Sequence, residues 1–348
     1  MNRIIEEDLK VITSTDLPWE DLRNKKILVT GWWWFLAAYL IKSLITASRE
    51  KQLNIKIICI SRRVPESQLR LSDYFDSPEI SFLQHDIINP LPDDIGSLDI
   101  IIHSASQASP KYYRIDPVGT LLPNSVGTMN LLNYAVKYKI KKFMFFSTGE
   151  VYGIPNDSSQ QIEEWNYGYL DPMNVRSCYA ESKRMGETMC VSWDQQYDIH
   201  TVIVRPFHTY GPGISFDDGR VFADFVADVV LGRDIVLRSD GSAQRPFCYI
   251  SDATIGFLTV LLKGKRCEAY NIGNPETEMS IIALAETISR LFPERNIKVR
   301  TEVLVDDKLY LKSPISRSCP SIEKAKKLKW APSIEIEEGF RRTIQSFL

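Results

Sequence analysis

Ile27-Leu28-Val29-Thr30-Gly31-Trp32-Trp33-Trp34-Phe35-Leu36 is the stretch that decides the fold of this chain. Its first four residues form a short apolar run, which Gly31 ends. A helical pattern follows, with Leu36, Leu40, Ile41 and Leu44 on one side. Strand, glycine, helix is the layout that sets a dinucleotide's pyrophosphate at a helix N-terminus. Further strand-like runs follow at Ile55 to Ile60, Asp99 to His103, Lys142 to Ser147 and Val202 to Arg205. Helical patterns lie around Gly127 to Tyr138 and through Tyr179 and Lys183. Short apolar strands alternating with helices predict a doubly wound parallel sheet buried on both faces, a Rossmann-type α/β fold.

After Arg205 the texture changes. Gly211-Pro212-Gly213 and Asp217-Asp218-Gly219 form a turn-rich loop followed by mixed short elements. This predicts a smaller C-terminal α/β lid for substrate over the carboxyl ends of the strands. The expected division is an N-terminal extension at 1–25 and a dinucleotide-binding domain at 26–205. A mainly substrate-binding domain at 206–348 follows, with a segment near 245–273 returning to the Rossmann core.

The bulk composition excludes several classes. In 348 residues the chain is 44% hydrophobic and 25% charged, with net charge −2, so it lacks the basic excess of a nucleic-acid binder. Met1 to Lys26 has no apolar core of a signal peptide, and no run approaches the roughly 18 apolar residues of a membrane span. The six cysteines are scattered without a Cys-x-x-Cys pair, and the four histidines show no metal-ligand spacing. The expectation is a soluble cytoplasmic protein with reduced thiols and no metal.

Tyr179-Ala180-Glu181-Ser182-Lys183 puts a phenol and an ammonium one helical turn apart, on one face. A nearby positive charge favours the phenolate and draws its pKa, normally about 10, toward neutrality. Such a group takes a proton from a sugar or alcohol hydroxyl as a hydride leaves the same carbon. Upstream, Ser147-Thr148-Gly149-Glu150 follows a buried strand and faces the same crevice. Thr148 suits a substrate hydroxyl or its oxyanion, and Glu150 suits acid or base work. N-capping of the next turn is the other reading of these residues. After the second strand, Ser61-Arg62-Arg63 stands where many NAD sites carry an acid for the ribose. Arginines there suit a 2′-phosphate, which leaves NADP open beside NAD; a solvated charge pair is the plain reading.

Val29-Thr30-Gly31-x-x-x-Phe35-Leu36 resembles the start of an extended short-chain dehydrogenase/reductase, whose loop is Gly-x-x-Gly-x-x-Gly. Here Trp32, Trp33 and Trp34 fill the turn and Ala37 replaces the last glycine. Glycine at position 34 would let backbone touch phosphate and adopt φ > 0. The indoles read as a buried aromatic cluster or as a stacking platform for a base.

From Ile101 onward the chain resembles the NAD-dependent nucleotide-sugar epimerases, dehydratases and decarboxylases, the UDP-glucuronate decarboxylases most of all. Ser109-Pro110-Lys111-Tyr112-Tyr113, Asn124-Ser125-Val126-Gly127-Thr128, Ser147 to Gly153 and Arg176-Ser177-Cys178-Tyr179 carry that likeness. Gly211-Pro212, Asp218-Gly219-Arg220-Val221, Gln244 to Asp252, Asn271 to Asn274 and Leu328 to Pro332 continue it.

The resemblance implies a cofactor site of Gly31, Phe35, Leu36, Arg62, Asp86, Ile87, Ser104, Ala105, Ser106, Asn124, Ser147, Tyr179 and Lys183. It implies substrate contacts at Ser109, Arg176, His208, Arg220 and Arg245, and catalysis by Tyr179, Lys183, Thr148 and Glu150. It also implies a homodimer formed through helices flanking the sheet. The activity it implies is decarboxylation of a UDP-hexuronate through a transient 4-keto sugar, with NAD recycled. Gly149 replaces the aspartate of a 4,6-dehydratase and the serine of the decarboxylases, and His208 replaces a usual asparagine. C4 epimerisation is the runner-up and 4,6-dehydration the third. From another class, a cofactor-free, inactive binding protein follows if the indoles exclude the dinucleotide.

Overall fold

Seven parallel strands make the central sheet, in the order β11-β6-β5-β4-β1-β2-β3. In chain order they are β1 (Lys26–Thr30), β2 (Lys56–Ser61), β3 (Ile80–Gln84), β4 (Ile100–His103), β5 (Lys142–Phe146) and β6 (His200–Pro206). Six short strands and the last sheet strand follow. These are β7 (Thr209–Tyr210), β8 (Ile235–Leu237), β9 (Gln244–Arg245), β10 (Cys248–Tyr249), β11 (Glu268–Ile272), β12 (Met279–Ser280) and β13 (Val299–Thr301). The computed structural model describes residues 2–62, 69–157, 159–302 and 315–348. Arg63, paired with Arg62 in the cofactor reading, lies outside the described residues.

The strands are apolar because helices cover both faces. Ile27, Leu28 and Val29 of β1 are fully buried, as are Ile101 and Ile102 of β4 and Phe143 to Phe145 of β5. The order reverses between β1 and β4, and ligands bind beyond the carboxyl ends of strands at such a switch point. There the two loops touch. Gly31 has φ +69°, and a Cβ on it would lie 2.6 Å from Ala105 Cα. Thr30 and His103 are register partners, and their side chains bond at 2.8 Å, Thr30 Oγ1 to His103 Nδ1. Thr30 Oγ1 also accepts from the amides of Ser104 and Ala105, and Ser104 Oγ donates to Thr30 O at 2.5 Å.

The segment 1–25 contributes to the same core. Helix Arg3–Ser14 packs on helices Phe35–Glu50 and Ile250–Lys263 and buries Leu9 and Ile12; Leu17, Trp19 and Leu22 extend that contact. Asp8 Oδ2 accepts from the hydroxyls of Tyr39 (2.7 Å) and Tyr249 (2.9 Å), and Arg342 Nη2 donates to its Oδ1 at 2.8 Å. The chain's two ends are thereby clasped to the core.

Beyond β6 the pairs β7·β10, β8·β13 and β9·β12 build the smaller lid, while helix Ile250–Lys263 and β11 return to the central sheet. Among the described residues no helix is long and apolar enough to cross a membrane.

Candidate active site

Helix Ser177–Tyr197 lies hard against the sheet, because a Cβ on Gly186 would come within 2.4 Å of Phe145 Cζ. That close approach carries Lys183 Nζ to 2.6 Å from Phe146 O and to 4.8 Å from the Phe145 ring centroid. Asn124 locks the helix from the other side. Its Nδ2 donates to Ser182 Oγ at 3.0 Å, and Ser182 Oγ donates to Tyr179 O at 2.9 Å. Asn124 thus positions the catalytic helix as well as lying beside the expected cofactor path.

Tyr179 and Lys183 do share an environment: Nζ lies 5.9 Å from the phenol ring centroid. Tyr113 stacks on Tyr179 at 5.1 Å and 15°. Burial opposes the expected shift of the phenol toward neutrality. Removal from water raises the Tyr179 pKa, the negative charge of Glu150 adds to this, and the Thr148 hydrogen bond and Arg220 only partly oppose it. Burial also pulls Lys183 down to about 7, against the pull of Glu187. His103, fully buried, falls to about 3 through the same desolvation and the nearby Lys183 charge. The sequence motif gives the geometry, while the dry surroundings decide the charge state.

Thr148 meets both of its readings. Its Oγ1 accepts from Glu150 N at 3.2 Å, capping the turn Gly149–Tyr152, and its side chain also bonds Tyr179. Glu150 Oε1 faces Arg176 Nη2 at 3.6 Å, and Arg176 lies over the Tyr113 ring at 5.6 Å. Gly149 has a packing reason: a Cβ there would approach Phe207 Cε1 at 2.9 Å. Behind the turn, Arg205 is buried and donates to both Glu187 oxygens, at 2.8 and 2.6 Å, and to Tyr152 OH at 2.8 Å. Sequence reading missed Arg205 and Glu187, because an Arg in a strand and a Glu on a helix carry no signal of pairing.

The substrate residues are distributed unevenly. His208 is half-buried with its Nδ1 shielded from solvent, and desolvation with Arg245 and Arg220 nearby pushes its imidazole well below the usual range. Arg220 is paired with Asp218 (Nη2 to Oδ2 2.8 Å) and packs on Phe222. Ser109 Oγ donates to Asp218 O at 2.5 Å. Arg245 donates to the carbonyls of Gln244, Ile315 and Ser316. Tyr113, inside the Ser109-to-Tyr113 motif, is the aromatic contact of Tyr179 that the motif had not singled out.

The cofactor end is a cleft lined by Gly31, Trp33, Trp34, Ser61, Arg62, Asp86, Ile87, Ala105 and Ser106, among others. The three indoles divide. Trp32 is buried against Phe82, with centroids 4.9 Å apart, whereas Trp33 and Trp34 stack on each other at 4.3 Å and form one wall. Trp34 has φ −71° and ψ 151°, so the positive φ expected at this position is not required. It is the N-cap of helix Phe35–Glu50 but offers no side-chain bond, so the first amides of that helix have no capping acceptor. Phe35 turns its ring into the core. A dinucleotide fits these residues: the uncapped helix start, the Gly31–Ala105 contact, and buried hydroxyls on Ser106 and Ser147 without a partner. Asp86 Oδ1 meanwhile accepts from Ile88 N at 3.2 Å.

A doubly wound fold with Tyr179, Lys183, Thr148 and Glu150 gathered at the carboxyl end of β5 defines an enzyme of the short-chain dehydrogenase/reductase class. The chain belongs to the NAD dependent epimerase/dehydratase family, whose pattern matches residues 27–273. It is 35% identical over 318 residues to UDP-glucuronic acid decarboxylase 6 of Arabidopsis thaliana, covering 91% of this chain and 87% of that one. It is 31% identical over 326 residues to UDP-glucuronic acid decarboxylase 1 of Danio rerio, covering 93% and 73%. Its fold is similar to UDP-glucose 4-epimerase of Thermotoga maritima (TM-score 0.79, 22% identity, 92% and 98% covered). It is also similar to UDP-glucuronic acid 4-epimerase of Bacillus cereus in complex with UDP-glucuronic acid and NAD (TM-score 0.78, 21% identity, 92% and 98% covered).

Proposed function

We propose that this chain decarboxylates a UDP-linked hexuronic acid through a transient 4-keto sugar, with NAD recycled in place. One observation carries the reading. Among the described residues, buried side-chain polar atoms without a partner are Ser106 Oγ, Asn124 Oδ1, Ser147 Oγ, Arg176 Nη1 and His208 Nδ1, besides Glu278 Oε1. Five of these six belong to the expected site, and buried polar groups normally have partners, so the crevice is built for a polar ligand.

When bound, the dinucleotide supplies a hydride acceptor and donor for C4 of the sugar. The amides of Phe35 and Leu36 with Arg62, Asp86, Ser106 and Ser147 would hold it; Arg62 is the described residue that suits a 2′-phosphate. Tyr179 takes the proton of the 4-hydroxyl, and Thr148 hydrogen-bonds the same oxygen as it becomes a carbonyl. The C5 carboxylate is then β to a ketone. Its C–C bond breaks, CO₂ leaves, and the electron pair enters the enolate at O4. Glu150, facing Arg176, passes a proton taken up from solvent to C5, and Tyr179 returns its proton to O4 as C4 is reduced. Arg220 and Arg245 present guanidinium forks to the diphosphate or the carboxylate.

Epimerisation at C4 uses the same tyrosine, lysine and threonine. Dehydration needs an acid at position 149, where the chain has glycine and a Cβ would come within 2.9 Å of the Phe207 ring. Incubation with NAD and UDP-glucuronate labelled in the carboxylate tests the reading. Labelled CO₂ with a UDP-pentose is the expected result, and a UDP-hexuronate epimer without CO₂ overturns it. Neither product, with no thermal shift from NADH, makes the chain a binding protein.

The exposed Ile115, Val118, Leu121, Met185 and Val191 sit on helices Pro110–Ile115, Pro117–Leu122 and Ser177–Tyr197. The latter two helices pack together, and this apolar face suits a second copy in a two-fold dimer. Six unpaired cysteines fit a reducing cytoplasm.

A further inference from the structure

Arg70 joins the two ligand ends of the crevice. It lies in the turn Leu69–Tyr74, and its Nη1 donates to Trp33 O at 2.9 Å. Its Nε donates to Gly213 O, also at 2.9 Å. Trp33 belongs to the loop that walls the dinucleotide cleft. Gly213 opens the strap 211–220, which leads to Arg220. The far end of that strap is tied down by Ser109 Oγ to Asp218 O and Lys111 Nζ to Asp217 O, both at 2.5 Å. There Gly219 has φ +83° and would meet Ser109 Oγ at 2.9 Å if it carried a Cβ. At the near end Gly211 packs on Ile250 and Ile214 is buried, while Gly213 between them has φ +87° with nothing within 4 Å of a Cβ. Arg70 is bonded there to the strap and to the cofactor loop at once.

The arrangement is an unusual use of a cation. Arg70 is half-buried, and among the described residues no carboxylate lies within ion-pair distance of it. Asp217 and Asp218 act on it only through their fields. Desolvating a guanidinium to serve two carbonyls costs stability unless the carbonyls must be held. Both carbonyls belong to loops that the proposed function sets against ligand, and they come from elements 180 positions apart in the chain, 33 and 213.

We propose that Arg70 is a positioning residue that couples sugar-nucleotide binding at the strap to the order of the cofactor loop. The inference rests on the reading above that the strap covers a sugar nucleotide. Linkage makes the coupling reciprocal: ligand at either end favours ligand at the other.

Hydrogen–deuterium exchange of the full chain, with UDP-glucuronate and no dinucleotide, tests this. In the parent protein amides in both 213–220 and 31–36 slow about three-fold or more, and UDP-glucuronate tightens NADH about five-fold, the low end of ordinary coupling. In Arg70→Met and Arg70→Lys only 213–220 slows, and the NADH effect vanishes. Equal slowing of 31–36 in the variants overturns the coupling, as does no slowing of 31–36 in the parent. No slowing at 213–220 in the parent overturns the sugar-nucleotide reading itself, and the coupling with it. Faster exchange throughout β1 and β4 to β6 in both variants makes Arg70 a structural strut, which also ends the proposal.

Discussion

The two ends of the crevice meet different standards. At the catalytic end the side chains are fixed atom by atom, with Lys183 Nζ on Phe146 O, Thr148 on Tyr179 and Glu150 facing Arg176. At the nucleotide end three indoles replace a glycine-rich turn, yet strand, Gly31 and helix stand in place. The difference separates what folds the chain from what binds. The loop keeps a positive φ and close contact at Gly31, while Trp32 is buried and Trp33 and Trp34 lie along the wall. Chemistry has no such latitude, because a proton must move between named atoms.

The catalytic end therefore gives the largest effect. Tyr179→Phe removes the proton acceptor and leaves the ring stacked on Tyr113. A fall in turnover of about 10³-fold is expected, within the usual range for general acid–base groups, with the thermal midpoint nearly unchanged. Turnover within ten-fold of the parent would mean that another group takes the proton.

At the nucleotide end two neighbouring indoles should behave oppositely. Trp32→Ala empties a fully buried site beside Phe82, and denaturant unfolding should show a loss of about 3–5 kcal/mol. Trp34→Gly removes a ring from the wall of the cleft, and glycine is a good N-cap, so stability should hold. NADH, followed by its fluorescence, should bind about ten-fold tighter, equivalent to about 1.4 kcal/mol. Unchanged NADH affinity would show that the indoles do not obstruct the dinucleotide.

How far the sequence could be read follows the same division. Buried strands with unbroken apolar runs, β1, β4, β5 and β6, were legible because both faces are covered. The edge strand β3 was not: Ile80-Ser81-Phe82-Leu83-Gln84 is half exposed and shows no clear run. Nor was β11, where Asn271 is buried to accept from Tyr152 OH at 2.5 Å. Residue identity placed Tyr179, Lys183, Thr148 and Glu150 correctly side by side. It could not reveal that Arg220 would be held by Asp218, or that Phe207 would fill the space above Gly149, since both depend on contacts between distant segments. Charge state was the least legible property. A tyrosine and lysine one turn apart suggest a phenol drawn toward neutrality, whereas its burial pushes the other way.

That charge state yields the smallest effect, and it sharpens the contrast through stability alone. Lys183 sits near 7 when folded and returns to its ordinary value of about 10.5 when unfolded. Between these limits the unfolded chain binds the extra proton, so folding becomes more favourable as pH rises from about 7 to about 10.5. Below pH 7 both states are protonated and the full cost of a buried ammonium applies. Lys183→Met removes this group's titration. The stability of the parent relative to the variant should therefore climb over that window, by on the order of 2 kcal/mol, in urea unfolding at pH 7 and pH 10. The variant also loses the bond to Phe146 O, but that offset is the same at every pH and leaves the slope intact. Trp34→Gly, at the other end of the crevice, should leave the slope untouched. A flat difference between the parent and Lys183→Met would mean that the ammonium keeps water or a countercharge at its side, and that the catalytic end is wetter than its packing implies.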